Sequence, residues 1–273
     1  MRYLARTVDD RHLLGDDEGF VPLGSVHPEL ETVREALPVA AAGELSDPSD
    51  ATATRIDRAE LRFGMPLAAF GKLWGIGLNY AEHAGDLDEQ RPEEPASFIK
   101  PRTALTGPGG PIRLPPTDQT ERVTAEAELG VVVGRECRSV TGSEVEDVVA
   151  GYLPVIDMTV EDILQRNPRF LTRAKSFDTF LIPGPEIRVP DGESDLSEIA
   201  VRTEVNGDTC AENTVANMLF PPAELVAFHS EVMTLQPGDL LSTGTPGAAK
   251  ITAGDEVRAV VESVGSVAAT VTR

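Results

Sequence analysis

The chain has 273 residues, 41% hydrophobic and 25% charged, which is a globular rather than a disordered composition. No apolar run approaches the roughly 18 residues that span a bilayer, and the first twenty residues carry acids where a secretion signal needs an apolar stretch. Forty-five acids against 24 bases leave a net charge of −21, a surface that repels nucleic-acid phosphates and anionic lipid alike. Only four bases are lysines: Lys72, Lys100, Lys175 and Lys250. An acid-rich, lysine-poor surface fits a halophilic protein, because salt screens its self-repulsion. Two cysteines, Cys137 and Cys210, are too few for a disulfide framework, so a reducing cytoplasm is the simple expectation.

Residues 1–24 read as short strands around the turn signal Gly15 to Gly19. Residues 28–37 place Leu30, Val33 and Leu37 on one helical face. The small, acidic, proline-interrupted stretch 40–50 reads as a linker. These features predict a small N-terminal domain over 1–66 and a main domain over 67–273. Within the main domain, 127–134, 152–157, 199–207, 255–261 and 266–272 are β-branched runs bounded by turns. Asn206-Gly207 signals a hairpin. Ser143 to Glu146 resembles a capping box opening a short helix. Pro222 can start another, with Leu225, Phe228, His229 and Val232 along one side. Strands and helices do not alternate regularly, so the expected fold class is α+β and β-rich, with a mixed sheet.

Five places could carry chemistry. Glu126 and Glu128 share one face of a strand, and a cation would relieve their repulsion. Asp157 ends an apolar strand. Together the three make an all-oxygen set suited to Mg2+ or Mn2+ rather than zinc, if the fold brings them together. His83 and Asp86 would share a face of a helical turn capped by Asn79, where the carboxylate could raise the basicity of the imidazole. Lys175 sits amid Phe170, Leu171, Phe177 and Phe180, where partial desolvation would suit it to stabilising an enolate. The tight Gly244-Thr245-Pro246-Gly247 loop could present backbone N–H groups to an anionic oxygen. His12, His27 and His229 read as structural or exposed. No nucleophile elbow, zinc-spaced cluster or phosphate loop is present.

Taken in order, 75–83, 98–101, 126–134, 151–157, 173–185, 205–207 and 238–247 resemble the fumarylacetoacetate hydrolase family, in its acylpyruvase and 2-hydroxyhepta-2,4-diene-1,7-dioate isomerase-like branch. The resemblance covers residues 65–273. It implies a mixed β-roll main domain with a variable N-terminal segment, usually a homodimer. It implies Glu126, Glu128 and Asp157 as metal ligands, His83 with Asp86 as the catalytic dyad, and Lys175 beside metal and substrate. Thr245, Gly244 and Lys100 would line the substrate site. Two positions depart from the family pattern: Asp86 stands where Glu is common, and Glu161 where Arg is common. An anion at 161 should disfavour a second substrate carboxylate.

The reaction implied is hydrolysis of a small 2-oxo acid of the 3-acylpyruvate type. Mg2+ would chelate the 2-oxo and carboxylate oxygens, and the carbon–carbon bond would break toward a metal-bound enolate. Isomerisation of unsaturated 2-oxo dicarboxylates, oxaloacetate decarboxylation and dehydration of 2-keto-3-deoxy sugar acids use the same machinery. A noncatalytic small-molecule-binding relic is the reading of a different class.

Overall fold

Short β-branched runs separated by turn residues form sixteen strands among the residues described by the computed structural model, which are 1–80, 92–192 and 196–273. The N-terminal segment makes β1 (Arg2–Arg6), β2 (His12–Asp16) and β3 (Gly19–Pro22). Then come β4 (Leu73–Gly77), β5 (Ala96–Lys100) and β6 (Gly109–Arg113). Two long central strands follow, β7 (Val123–Val133) and β8 (Val149–Val160). Next are β9 (Leu181–Pro183), β10 (Glu186–Val189), β11 (Ala200–Val205) and β12 (Asp208–Thr214). The chain closes with β13 (Leu240–Ser242), β14 (Ala248–Ile251), β15 (Glu256–Val261) and β16 (Gly265–Thr272). Helices α1 (Val33–Ala41), α2 (Glu161–Arg166), α3 (Leu171–Lys175) and α4 (Pro222–Val232) lie between them.

The strands form two sheets, an α+β, β-rich architecture. The larger runs β3-β2-β1-β10-β8-β7-β13-β4-β5, with β14 also on β7 and β9 also on β8. The smaller runs β12-β11-β15-β16-β6. Both are mixed: β13 is parallel to β4, and β16 is parallel to β6. The expected hairpin joins β11 to β12, with Asn206 and Gly207 at φ 55° and 88°. Two positive φ values in succession suit a turn whose twist matches the flanking strands.

Two helix starts differ from the sequence expectation. The first helix begins at Val33, not near residue 28, because Thr32 and Glu35 form a reciprocal cap. The capping box expected at Ser143 belongs instead to Thr141, whose N–H and hydroxyl both donate to Glu144. It opens only the three-residue turn Gly142–Glu144. In α4, Leu225 and His229 are buried as expected, but Val232 is exposed at the helix end.

The first three strands share the large sheet with the rest. β1 pairs antiparallel with β10, Leu4 opposite Ile187. The Arg34 guanidinium reaches the carbonyls of Pro237 and Ala69. The division near residue 66 stays our proposal about the chain's units, joined through this β1–β10 pairing.

β7 and β8 position the site. Their register sets Glu126 opposite Asp157 and Thr124 opposite Thr159. Side chains alternate across a strand. One face of the pair carries Val123, Ala125, Ala127, Leu129, Ile156, Met158 and Val160, which pack with Val257, Ala259 and Val267 of the smaller sheet. The opposite face carries Thr124, Glu126, Glu128, Asp157 and Thr159, all buried.

Candidate metal centre and cavity

Glu126, Glu128 and Asp157 each offer a carboxylate oxygen, and these atoms lie within 4.8 Å of one another. At about 5 Å and an effective dielectric of about 20, each like-charge pair costs roughly 3 kcal/mol. Three such pairs approach the whole net stability of a domain, ~5–15 kcal/mol. Cations must offset them, and two lysines do so in part. Lys175 Nζ donates to Glu126 Oε2 at 2.7 Å and Asp157 Oδ2 at 3.0 Å. Lys100 pairs with the other oxygen of Asp157 and also donates to the carbonyls of Met158 and Phe180. With all five groups ionised, three carboxylates against two ammonium groups leave one negative charge, which a divalent cation reverses.

The titration shifts follow from that balance. Burial first, and then the nearby Asp157 charge, push the Glu128 carboxyl up to about 8. Burial would lower the Lys175 ammonium, but the charges of Asp157, Glu126 and Glu128 outweigh it and hold Lys175 above the usual lysine range. Leu171, one of the apolar residues expected around Lys175, lines a cavity with it, and the Phe98 ring lies 5.2 Å from its ammonium. Lys100 is lowered by burial, with Asp157 acting against the shift.

Two further carboxylate oxygens are also held. Thr159 donates its hydroxyl to Glu126 Oε1, and Gly244 N donates to Glu128 Oε2 at 2.8 Å. Gly244 has φ +95°, and a Cβ there would lie 2.8 Å from Asn79 Cβ. Only glycine places its N–H against Glu128 without strain. Asn79 braces the same loop, donating to the carbonyls of Phe220 and Thr243 and accepting from Phe220 N. The donor set is hard, all-oxygen, buried and buttressed, which fits Mg2+ or Mn2+.

A cavity of about 660 Å³ opens over this face, with Glu126, Lys175, Thr159 and Thr245 on its wall. The structure thus brings five expected residues together: Glu126, Glu128, Asp157, Lys175 and Thr245. Of the others, Glu128 and Asp157 sit beneath Glu126 rather than on the cavity wall, and Lys100 and Gly244 do not line the cavity either. Lys100 is buried behind Asp157, where all three of its protons have acceptors, and Gly244 faces Glu128. His83 and Asp86 lie outside the described residues. The other histidines are packed: His229 is buried against the Trp74 ring, and His27 and His12 accept from Ser46 N and Val33 N.

Sequence reasoning missed Arg122, Thr124 and Thr159, which share this cavity wall. The signal was present as an i, i+2 run: 122, 124, 126 and 128 fall on one strand face.

The profile of the family described as Fumarylacetoacetate (FAA) hydrolase C-terminal matches residues 72–272. A 2,4-didehydro-3-deoxy-L-rhamnonate hydrolase of Sphingomonas sp. (strain SKA58) is 34% identical over 253 residues, 89% of this chain and 85% of the relative. The crystal structure of maleylpyruvate hydrolase from Sphingobium sp. SYK-6, in complex with manganese(II) and pyruvate, is 29% identical with TM-score 0.80, covering 100% of this chain and 99% of that one. A 5-carboxymethyl-2-hydroxymuconate delta-isomerase from Mycobacterium smegmatis is 31% identical with TM-score 0.76, over 100% and 99% of the two chains.

Proposed function

From the premise that this chain belongs to the fumarylacetoacetate hydrolase family, we propose a divalent-metal-dependent hydrolase that splits the carbon–carbon bond of an acylpyruvate-type 1,3-diketo acid. The observation that carries it is the convergence of three buried carboxylates and Lys175, of which Glu126 and Lys175 reach the wall of one cavity. Glu126, Glu128 and Asp157 would hold the ion. When bound, it supplies Lewis-acid charge for the 2-oxo acid end of the substrate.

The chain's own residues do the rest. His83, supported by Asp86, takes a proton from water, and the hydroxide adds to the distal carbonyl. The carbon–carbon bond breaks, its electron pair passes to the pyruvate fragment as an enolate, and a proton completes pyruvate. The Lys175 ammonium offsets the negative charge as it develops. Lys100 and Gly244 act as positioning residues for Asp157 and Glu128. Thr245 meets substrate at the cavity wall. We further propose a homodimer in a reducing, salt-rich cytoplasm, with no nucleic-acid or membrane partner. Among the described residues no helix is long and apolar enough to cross a membrane. Light scattering in molar KCl reads the oligomer.

A second reading, isomerisation of an unsaturated 2-oxo dicarboxylate, is favoured by the likeness to the Mycobacterium smegmatis isomerase. Incubation with acetylpyruvate and Mg2+ in molar KCl, followed by proton NMR, separates the two. Acetate and pyruvate, lost on adding EDTA, are expected. A protein that binds Mn2+ but releases no acetate would sink the hydrolase reading.

A further inference from the structure

The strand face that carries the carboxylates continues past them in both directions of the β7–β8 pairing. Beyond Glu126 opposite Asp157 comes Thr124 opposite Thr159, then Val123 opposite Val160 on the other face. One step further the chains remain hydrogen-bonded, because Glu161 N donates to Arg122 O at 3.0 Å. Arg122 and Glu161 therefore stand on the site's side of the sheet, four residues along their chains beyond Glu126 and Asp157. Four residues span about 13 Å along a strand. Both side chains line the same cavity as Glu126 and Lys175.

Their charges cancel. Arg122 Nε donates to Glu161 Oε2, and Gln165 Nε2 donates to Glu161 Oε1 at 3.2 Å. Both carboxylate oxygens are thus engaged from within the protein. Glu161 is the better shielded partner, its side chain 14% exposed against 52% for Arg122. A ligand carboxylate arriving at this end would compete with a tethered carboxylate for one guanidinium and would lie beside a fixed negative charge. An uncharged group meets no such penalty.

Between the two ends sits an unspent hydrogen-bonding group. Thr124 is buried and lines the cavity, and its hydroxyl has no hydrogen-bond partner among the described residues. Thr159 opposite is different, since it gives its proton to Glu126. A buried hydroxyl left unpaired carries a desolvation penalty that a ligand oxygen can remove.

We propose that this cavity selects 2-oxo acids with an uncharged, oxygen-bearing tail. Thr124 bonds the tail oxygen, and the Arg122–Glu161 pair rejects a terminal carboxylate. The inference rests on the reading that the 2-oxo acid end is anchored at the metal carboxylates, but it does not require turnover.

The test is calorimetric binding to the full-length, Mn2+-loaded protein in molar KCl. Three ligands of equal chain length are compared: 2-oxoheptanoate, 4-hydroxy-2-oxoheptanoate and 2-oxoheptanedioate. The hydroxy acid should bind about fivefold more tightly than 2-oxoheptanoate, and the dicarboxylate about tenfold more weakly. Glu161→Gln should raise the affinity for the dicarboxylate relative to 2-oxoheptanoate by about tenfold, and Arg122→Met should lower it further. Thr124→Val should erase the advantage of the hydroxy acid. Mn2+ electron paramagnetic resonance on each variant reports whether the carboxylate site is intact. A wild-type preference for the dicarboxylate, or ratios that none of the variants moves, overturns the inference while leaving the hydrolase reading in place. If none of the three acids binds although Mn2+ does, the anchoring falls, and this inference falls with it. Failure of acetylpyruvate cleavage with the binding preferences as stated removes only the hydrolase reading.

Discussion

On one face of the β7–β8 pair, Val123, Ala125, Ala127, Leu129, Ile156, Met158 and Val160 meet the smaller sheet. On the other, Thr124, Glu126, Glu128, Asp157 and Thr159 meet one another and two lysines. Both faces are buried and are carried by alternate residues of the same two strands. Their energetics have opposite signs. The apolar face gains by leaving water, at about 25 cal/mol per Å². The acidic face loses by leaving water and needs cations and hydrogen bonds to be tolerated. The apolar face thus supplies the stability that lets a costly, preorganised site exist on the reverse side.

The sharpest way to break this comparison is to remove one charge while keeping shape. Glu128→Gln retains an acceptor for Gly244 N. It should weaken Mn2+ binding by at least about a hundredfold and abolish turnover. The metal-free variant should melt no lower than metal-free wild type, because burial and the Asp157 charge already disfavour the ionised Glu128 carboxyl. Titration calorimetry and thermal melts with and without EDTA read both halves. A large drop in the metal-free melting temperature would mean that the carboxylate stabilises the fold, contrary to the view above.

Substitution on the other face should do the reverse. Leu129 is fully buried in the apolar cluster. Leu129→Ala is expected to cost roughly 2–5 kcal/mol in denaturant unfolding. Its Mn2+ affinity should stay within about twofold of wild type, since stability changes at a site that touches no ligand leave folded-state binding intact. A matching loss of affinity would show that the two faces are not separable.

Gly244 sits where the faces communicate through the loop after β13. Gly244→Ala places a Cβ 2.8 Å from Asn79 Cβ at φ +95°, and should cost about 1–3 kcal/mol. It should also shift the Glu128 ligand and so lower Mn2+ affinity, which distinguishes it from Leu129→Ala. The smallest effect is expected for Thr159→Val, which removes the hydroxyl donated to Glu126. A loss of about 1 kcal/mol in unfolding and up to about tenfold in Mn2+ affinity would mark it as a positioning residue. An unchanged affinity would remove that role.

Much of this was legible in the chain itself. The acid excess, the strand-rich pattern, the Asn206-Gly207 hairpin and the common face of Glu126 and Glu128 depend on composition, local turn geometry and the two-residue period of a strand. Helix starts were less legible, because a cap is decided by which nearby side chain reaches the free N–H groups: Thr32 rather than an earlier residue, and Thr141 rather than Ser143. What no local rule could supply was register. Only the antiparallel pairing of β7 with β8 sets Asp157 opposite Glu126. The same pairing sets Thr124 opposite Thr159, and Arg122 beside Glu161 follows from the next hydrogen bond along. Lys100 shows the same division. Its scarcity was visible in the sequence, but whether its ammonium would face a substrate or the back of Asp157 depended on how β5, β8 and β9 came together. Hydrophobic burial of one face determines that assembly, and the charges on the other face are carried into contact by it.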